Sequence, residues 1–171
     1  MNLPFPRSYW VVPGKLLAGA YPGSTDPAAS AAKLDGLIAA GVTLVISLMH
    51  ATERNHGGHA FISYEAALSG VDCRRFPIVD GSIPTEKTMV SVLDAIDAGI
   101  AAGGIVYVHC WGGRGRTGTV VCCWLIRHGL LVSDQAVDRL QELIQHNAAA
   151  FYPTPETKEQ KEFVRSWRSD R

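Results

Sequence analysis

The sequence has no surplus of charge of either sign: 16 Lys and Arg balance 16 Asp and Glu. A formal net charge of zero argues against bulk electrostatic binding of nucleic acid, leaving only a local basic patch open. No apolar run approaches the roughly 20 residues that a membrane helix needs. The opening "MNLPFPRSYW" has no basic segment followed by an apolar core, so no signal peptide is expected. Cysteine is scarce. Cys73, Cys110, Cys122 and Cys123 show no spacing of a disulfide framework. Repeats, low-complexity tracts and linkers are also missing. These absences predict a cytoplasmic, soluble protein with reduced thiols, folded as one domain over residues 1–171.

What is present is enough apolar material for a core: 47% of the 171 residues are hydrophobic. "SYWVVPGKLLAG" reads as short extended segments broken at Pro13-Gly14. Asp26 before Pro27 starts a helix that Gly41 stops, with Leu34, Leu37 and Ile38 as its stripe. "VTLVISL" (42–48), "DCRRFPI" (72–78) and "IVYVH" (105–109) read as strands, the first and last of the fully buried type. Thr85 caps a helix to Gly103 with Met89, Leu93, Ile96 and Ile100 on its inner side. Helices follow at about 117–128, 134–146 (capped by Ser133) and 156–168. Strands alternating with helices predict an α/β fold whose sheet is largely parallel and flanked by helices, with ligands at the carboxyl ends of its strands.

Cys110 stands at such an end, inside "VHCWGGRGRTGT" (108–119). If residues 111–116 curl around a point, Gly112, Gly113 and Gly115 remove clashes and permit φ > 0. Successive amides then form an anion nest, and a helix starting near Thr117 adds its positive end. Arg116 supplies a planar fork for two phosphate oxygens. A free cysteine has a pKa of ~8.5, and helix N-termini and cations lower it, so the same field favours a thiolate. The loop lacks the lysine and hydroxyl ending of the ATP-binding P-loop, and no acidic ribose ligand accompanies a GxGxxG pattern.

His109-Cys110, five residues, Arg116 and Thr117 match the HCx5R[ST] signature, and the chain resembles the cysteine-based protein tyrosine phosphatases, in particular the small atypical dual-specificity phosphatases. "WVVPGKLLAG", "VISLMHATER", "FPIVDGSIP" and "ETKEQKEFV" resemble further segments of that subgroup, so the resemblance spans nearly the whole chain. It implies a phosphatase-type loop between a strand and a helix. It also implies hydrolysis of phosphomonoesters, phosphotyrosine and also phosphoserine and phosphothreonine, through a cysteinyl-phosphate. By that resemblance Cys110 is the nucleophile, and Arg116 with residues Trp111, Gly112, Gly113, Arg114 and Gly115 holds the phosphate. Asp80 is general acid and then base, Thr117 donates to the cysteine sulfur, and His109 supports the loop from behind. Glu53 and Gln160 match supporting positions. No metal or other cofactor is implied, and the partner is a phosphorylated protein or peptide. The oligomeric state is open.

Each residue has a plainer alternative. Cys110 can be a buried structural cysteine, Asp80-Gly81 a simple turn, and Thr117 a helix cap. Asp72 is the nearest other acid, but it precedes a strand. Arg114 is read as an outward, solvated side chain rather than as a ligand of anionic surroundings, Trp111 as rim or floor, and Glu53-Arg54 as a surface pair or a brace. Arg74 and Arg75, adjacent on a strand, point to opposite faces. His50, His56 and His59 lack zinc-site spacing and read as a solvated loop. Cys122 and Cys123 read as core fillers, and a Cys73–Cys110 disulfide is left open. Non-protein phosphates such as phosphoinositides or nucleotides, a redox-regulated binding module and sulfur transfer are the competing functions.

Overall fold

The computed structural model describes residues 2–145 and 151–171. Five strands and five helices follow one another along it: β1 (Ser8–Val12), β2 (Leu16–Gly19), α1 (Pro27–Ala39), β3 (Val42–Ser47), β4 (Asp72–Arg75), α2 (Glu86–Ala101), β5 (Ile105–His109), α3 (Gly115–Arg127), α4 (Ser133–Leu143) and α5 (Lys158–Ser166). A single 3-10 turn, Glu65–Ala67, precedes β4.

The strands form one sheet in the order β1-β2-β5-β3-β4. Only β1 and β2 run antiparallel; the other pairs are parallel. The two strands with uninterrupted apolar character, β3 and β5, lie at or beside the centre, where both faces are covered. Leu44, Ile46, Val106 and Val108 belong to the core shared with α2, α3, α4 and α5. Val45 and Tyr107 belong to a second core with Leu34 and Leu37 of α1. The alternation of side chains along a strand thus sends neighbours to opposite layers. Ser47 and His109 end in register, and Leu48 N–H bonds to the His109 carbonyl at 2.8 Å. That shared end is the platform for the site.

Two helix starts follow their expected caps. The Asp26 carboxylate accepts from the Ala28 amide, and the Thr85 hydroxyl accepts from the Thr88 amide. Other boundaries differ. The strand expected over 72–78 is shorter and stops at Arg75, although the amides of Phe76 and Ile78 still donate to the Ser47 and Leu48 carbonyls beside it. Helix α3 begins at Gly115 rather than at Thr117, with Arg114 as its cap residue. Val132, not Ser133, precedes α4, which ends at Leu143; residue 146 of the expected helix lies outside the described residues. The last helix is shorter than 156–168, because Thr157 and Gln160 close a capping box that sets its start. Ile38 is about half exposed and leaves the α1 stripe, whereas Leu37 is fully buried. Ile100 is only partly buried at the end of α2.

Helix α3 is buried along its length from Gly115 to Ile126. Cys122 and Cys123 are therefore core fillers, and burial pushes both thiols up. No helix of the described residues is long and apolar enough to cross a membrane.

Candidate active site

The loop from Cys110 to Arg114 joins the end of β5 to the start of α3. Gly113 has φ +73°, and a Cβ there would lie 2.4–2.7 Å from the backbone of Gly19 and Ala20. Only glycine meets both conditions, a left-handed φ and a neighbouring strand end pressed against the loop. Gly112 and Gly115 do not take positive φ, contrary to expectation. Gly112 has ordinary space for a Cβ, whereas at Gly115 the Gln160 amide stands at 3.0 Å. The turn aims the Gly113 amide at Cys110, and its N–H donates to Sγ at 3.3 Å. Cys110 is 3% exposed.

Arg116 is the second fixed point. It lies in the first turn of α3, and its side chain is fully buried. Its terminal nitrogens Nη1 and Nη2 donate to the two Glu53 carboxylate oxygens at 2.7 and 2.8 Å. Nη1 also donates to the Ile78 carbonyl at 3.0 Å, and Nη2 reaches Asp80 Oδ1 at 2.8 Å. Nε is buried and has no hydrogen-bond partner among the described residues. Burial works against the charge, but the Glu53 hydrogen bonds, with Cys110, Glu53 and Asp80 nearby, raise the pKa above its ordinary value. Glu53 is thus a brace and not a surface feature. Arg54 donates to the Gly58 carbonyl and only closes its own loop.

Asp80 is over half exposed at the rim, on a segment tied down from α5. The Thr157 hydroxyl donates to the Gly81 carbonyl at 3.2 Å, and Gln160 Nε2 donates to the Ser82 carbonyl at 3.1 Å. Gln160 is fully buried, and its Oε1 accepts from the amides of Glu156 and Thr157. The same side chain therefore starts α5, packs on the loop at Gly115 and holds the Asp80 segment. Asp72 is bonded to Arg74 on the edge strand and is not part of this cluster.

His109 is buried behind the loop. Its Nδ1 pairs with the Cys110 carbonyl at 3.1 Å and its Nε2 with the Tyr64 hydroxyl at 2.5 Å. Burial, reinforced by Arg75 and Arg116, lowers its pKa to about 4, although the Cys110 carbonyl bond opposes this. The ring is then neutral near pH 7, with Nδ1–H donating to the carbonyl and Nε2 accepting from Tyr64. The Thr117 hydroxyl is buried and has no hydrogen-bond partner among the described residues, so it is not a helix cap.

Trp111 stands at the rim, with His56 against its ring at 4.3 Å and Phe61 at 5.5 Å. His56 thereby joins the mouth, and among the described residues no group of three or more His, Cys, Asp or Glu could hold a metal. Arg114 points outward as expected, yet it is paired: Nη2 lies 2.8 Å from Glu156 Oε1, and the guanidinium sits 4.5 Å above the Tyr152 ring. A cavity of about 210 Å3 lies among Arg7, His56, Asp80, Trp111, Gly112 and Arg114.

Arg7, Tyr64 and Thr157 were not among the sequence candidates. Arg7 Nη2 donates to the Gly112 carbonyl at 2.8 Å across 105 residues of sequence, and nothing local marks it. Thr157 was legible as the first residue of a capping box with Gln160. Arg74 and Arg75 diverge as expected, and Arg75 binds Glu65 and the Met49 carbonyl beneath the Glu53 loop. The four cysteines are free; Cys73 packs in the α1-side core and Cys110 in the other.

A family model described as "Polymorphic toxin system, DSP-PTPase phosphatase" matches residues 19–130. Among curated relatives, one protein of Methanocaldococcus jannaschii is 36% identical over 88 residues, or 52% of this chain. The chain spans about half the length of that relative and less of others. The crystal structure of Tk-PTP in the active form superposes with a TM-score of 0.73 at 23% identity, covering 98% of this chain and 99% of that one. P. aeruginosa TpbA in complex with pTyr gives 0.70 at 20% identity, covering 99% and 90%. PTPMT1 in complex with PI(5)P gives 0.69 at 22% identity, covering 92% of each chain. At these identities the structural likeness speaks for the fold. With a family match over well more than half of its length, this chain belongs to the DSP-PTPase phosphatases, of the atypical dual-specificity type within the cysteine-based protein tyrosine phosphatase superfamily.

Proposed function

We propose that the whole chain is one catalytic unit that hydrolyses phosphomonoesters of phosphorylated proteins or peptides, phosphotyrosine first and also phosphoserine and phosphothreonine. The observation that carries this reading is the division of labour on Arg116. Glu53 occupies the end of its guanidinium, which leaves the side formed by Nε and Nη2 for two phosphate oxygens. Cys110 Sγ lies in the same loop, under the Gly113 amide.

In the first step Cys110 Sγ attacks phosphorus, the bond to the leaving oxygen breaks, and Asp80 gives that oxygen a proton. Arg116 and the loop amides hold the equatorial oxygens as charge spreads over them. Asp80 must leave Arg116 Nη2 as phosphate arrives, which carries its carboxyl towards the leaving group. In the second step water attacks phosphorus, Asp80 takes its proton, and the S–P bond breaks to release phosphate. The Thr117 hydroxyl donates to the departing sulfur, and neutral His109 fixes the Cys110 carbonyl. The aromatic rim of Trp111, Phe61 and His56 suits an aryl phosphate. No step calls for a metal, and four free thiols accord with a cytoplasmic setting.

The test is p-nitrophenyl phosphate hydrolysis from about pH 4 to pH 9 with chelator present. Wild type should give a bell-shaped profile, Cys110→Ser should abolish turnover, and Asp80→Asn should trap a phosphoryl group on Cys110 after rapid quench. Turnover that survives Cys110→Ser would overturn the mechanism. Preference by orders of magnitude for a phosphoinositide or nucleotide over phosphopeptides would overturn the protein substrate.

A further inference from the structure

A second cavity, of about 380 Å3, adjoins the catalytic one. It shares Arg7 and Trp111 with it, and Phe5, Tyr21 and Lys33 complete its wall. Two cations meet there. Arg7 Nη2 donates to the Gly112 carbonyl, and half-buried Lys33 donates to the Gly23 carbonyl at 3.2 Å while lying 5.9 Å from the Phe5 ring. Among the described residues no carboxylate pairs with either. The neighbouring arginines of the loop and the helix after it differ: Arg114 and Arg116 each have a carboxylate oxygen at 2.7–2.8 Å. In a chain of net charge zero, two like charges left to face each other are a local arrangement, not a consequence of composition. Burial, and after it Arg7, holds Lys33 below its ordinary pKa, as expected of a cation without a counter-ion.

We propose that this cavity is a specificity subsite for a second anionic group, a phosphate or a carboxylate, carried by the substrate beside the phosphate that is hydrolysed. Arg7 is anchored to the catalytic loop itself, so an anion bound there has a fixed offset from Cys110. Lys33 reaches the same space from α1 and adds a point charge. Phe5, Tyr21 and Trp111 give an apolar wall for the part of the substrate that links the two anions. Arg114, the cation that the motif brings into the loop, is unavailable for this purpose because Glu156 neutralises it.

The inference rests on the phosphatase reading, and its test separates the two. Three phosphotyrosine peptides are compared, with neutral neighbours, with glutamates beside the phosphotyrosine, and with a second phosphorylated residue there. Turnover is measured on the wild type, and affinity on the Cys110→Ser form. One or both anionic peptides should be favoured about fivefold or more in kcat/KM and in affinity, the value of one or two partly screened charge contacts. Whichever anionic peptide gains more names the group. Lys33→Met, which keeps most of the aliphatic stem, should lower the ratio of anionic to neutral peptide, and Lys33→Glu should bring it to one or below. A ratio near one in wild type, or one that Lys33→Glu leaves unchanged, overturns the subsite even if the enzyme turns over well. No turnover of any peptide, with the affinity ratio present and lost in Lys33→Glu, overturns the phosphatase reading and leaves the subsite standing.

Discussion

Removing Glu53 tests what holds the buried Arg116 in place. The Arg116 side chain is wholly buried, and Glu53, itself only 12% exposed, meets it with two hydrogen bonds. Breaking a buried pair by deleting one partner costs about 3–5 kcal/mol, because the remaining charge is stranded. Here Arg116 keeps the Ile78 carbonyl and the exposed Asp80 carboxylate, so Glu53→Ala should fall at the low end, about 3 kcal/mol. Against a typical total of roughly 5–15 kcal/mol the protein stays folded, with Tm lowered by roughly 10 °C. Glu53→Gln keeps the shape and one acceptor and should cost about half as much. Activity should suffer more than stability. An arginine free to turn towards Asp80 loses its alignment, and kcat/KM should drop by about a hundredfold. The assays are urea and thermal unfolding, p-nitrophenyl phosphate kinetics, and a double-mutant cycle with Arg116→Met. Glu53→Leu with Arg116→Met should be more stable than Glu53→Leu alone, since no stranded charge remains. A cost of Glu53→Ala below about 1 kcal/mol, with no coupling in the cycle, would refute the view that this pair fixes the arginine.

Two further outcomes follow from the same geometry. His109 has a folded pKa of about 4 against an ordinary 6.5, so the unfolded chain binds the extra proton first. Its contribution is fully present above pH ~6.5 and is lost as pH falls towards ~4, on the order of 3 kcal/mol in all; a His109→Asn variant should show a flatter pH–stability curve in urea, and an equally steep one would sink the assignment. Gln160→Leu removes the bond to Ser82 and half of the α5 capping box, at about 2 kcal/mol of stability. If Gln160 positions Asp80, the loss in kcat should be small with p-nitrophenyl phosphate and at least tenfold with phenyl phosphate, whose leaving oxygen needs the proton; equal losses on both would show a merely structural role.

The strands and the loop were legible because their signals are local. Runs rich in β-branched residues announce β3 and β5, Asp26-Pro27 and Thr85 announce helix starts, and HCx5R fixes Cys110 and Arg116 with five residues between them by covalent connection alone. The end of β4 was read too late, since the apolar "FPI" that follows "DCRR" continues alongside Ser47 and Leu48 without belonging to the regular ladder. The glycines illustrate the limit well. Three looked alike in the sequence, but only Gly113 lies against the Gly19 strand end and takes a positive φ. That neighbour is brought there by the pairing of β2 with β5, about ninety residues apart along the chain.

The sequence alone therefore determined the chemistry that the chain carries: a cysteine at a strand end, glycine to bend the loop, an arginine in the following helix. Tertiary structure decided everything that depends on long-range approach. It made Glu53 a clamp on Arg116, neutralised Arg114 with Glu156, tied the Asp80 segment to Gln160, and brought Arg7 and Lys33 to one cavity with no carboxylate partner among the described residues. Local pattern encodes backbone conformation and reactive groups. Charge pairing and orientation depend on which distant segments the folded sheet and its helices bring within hydrogen-bond distance, and no spacing in the sequence records that.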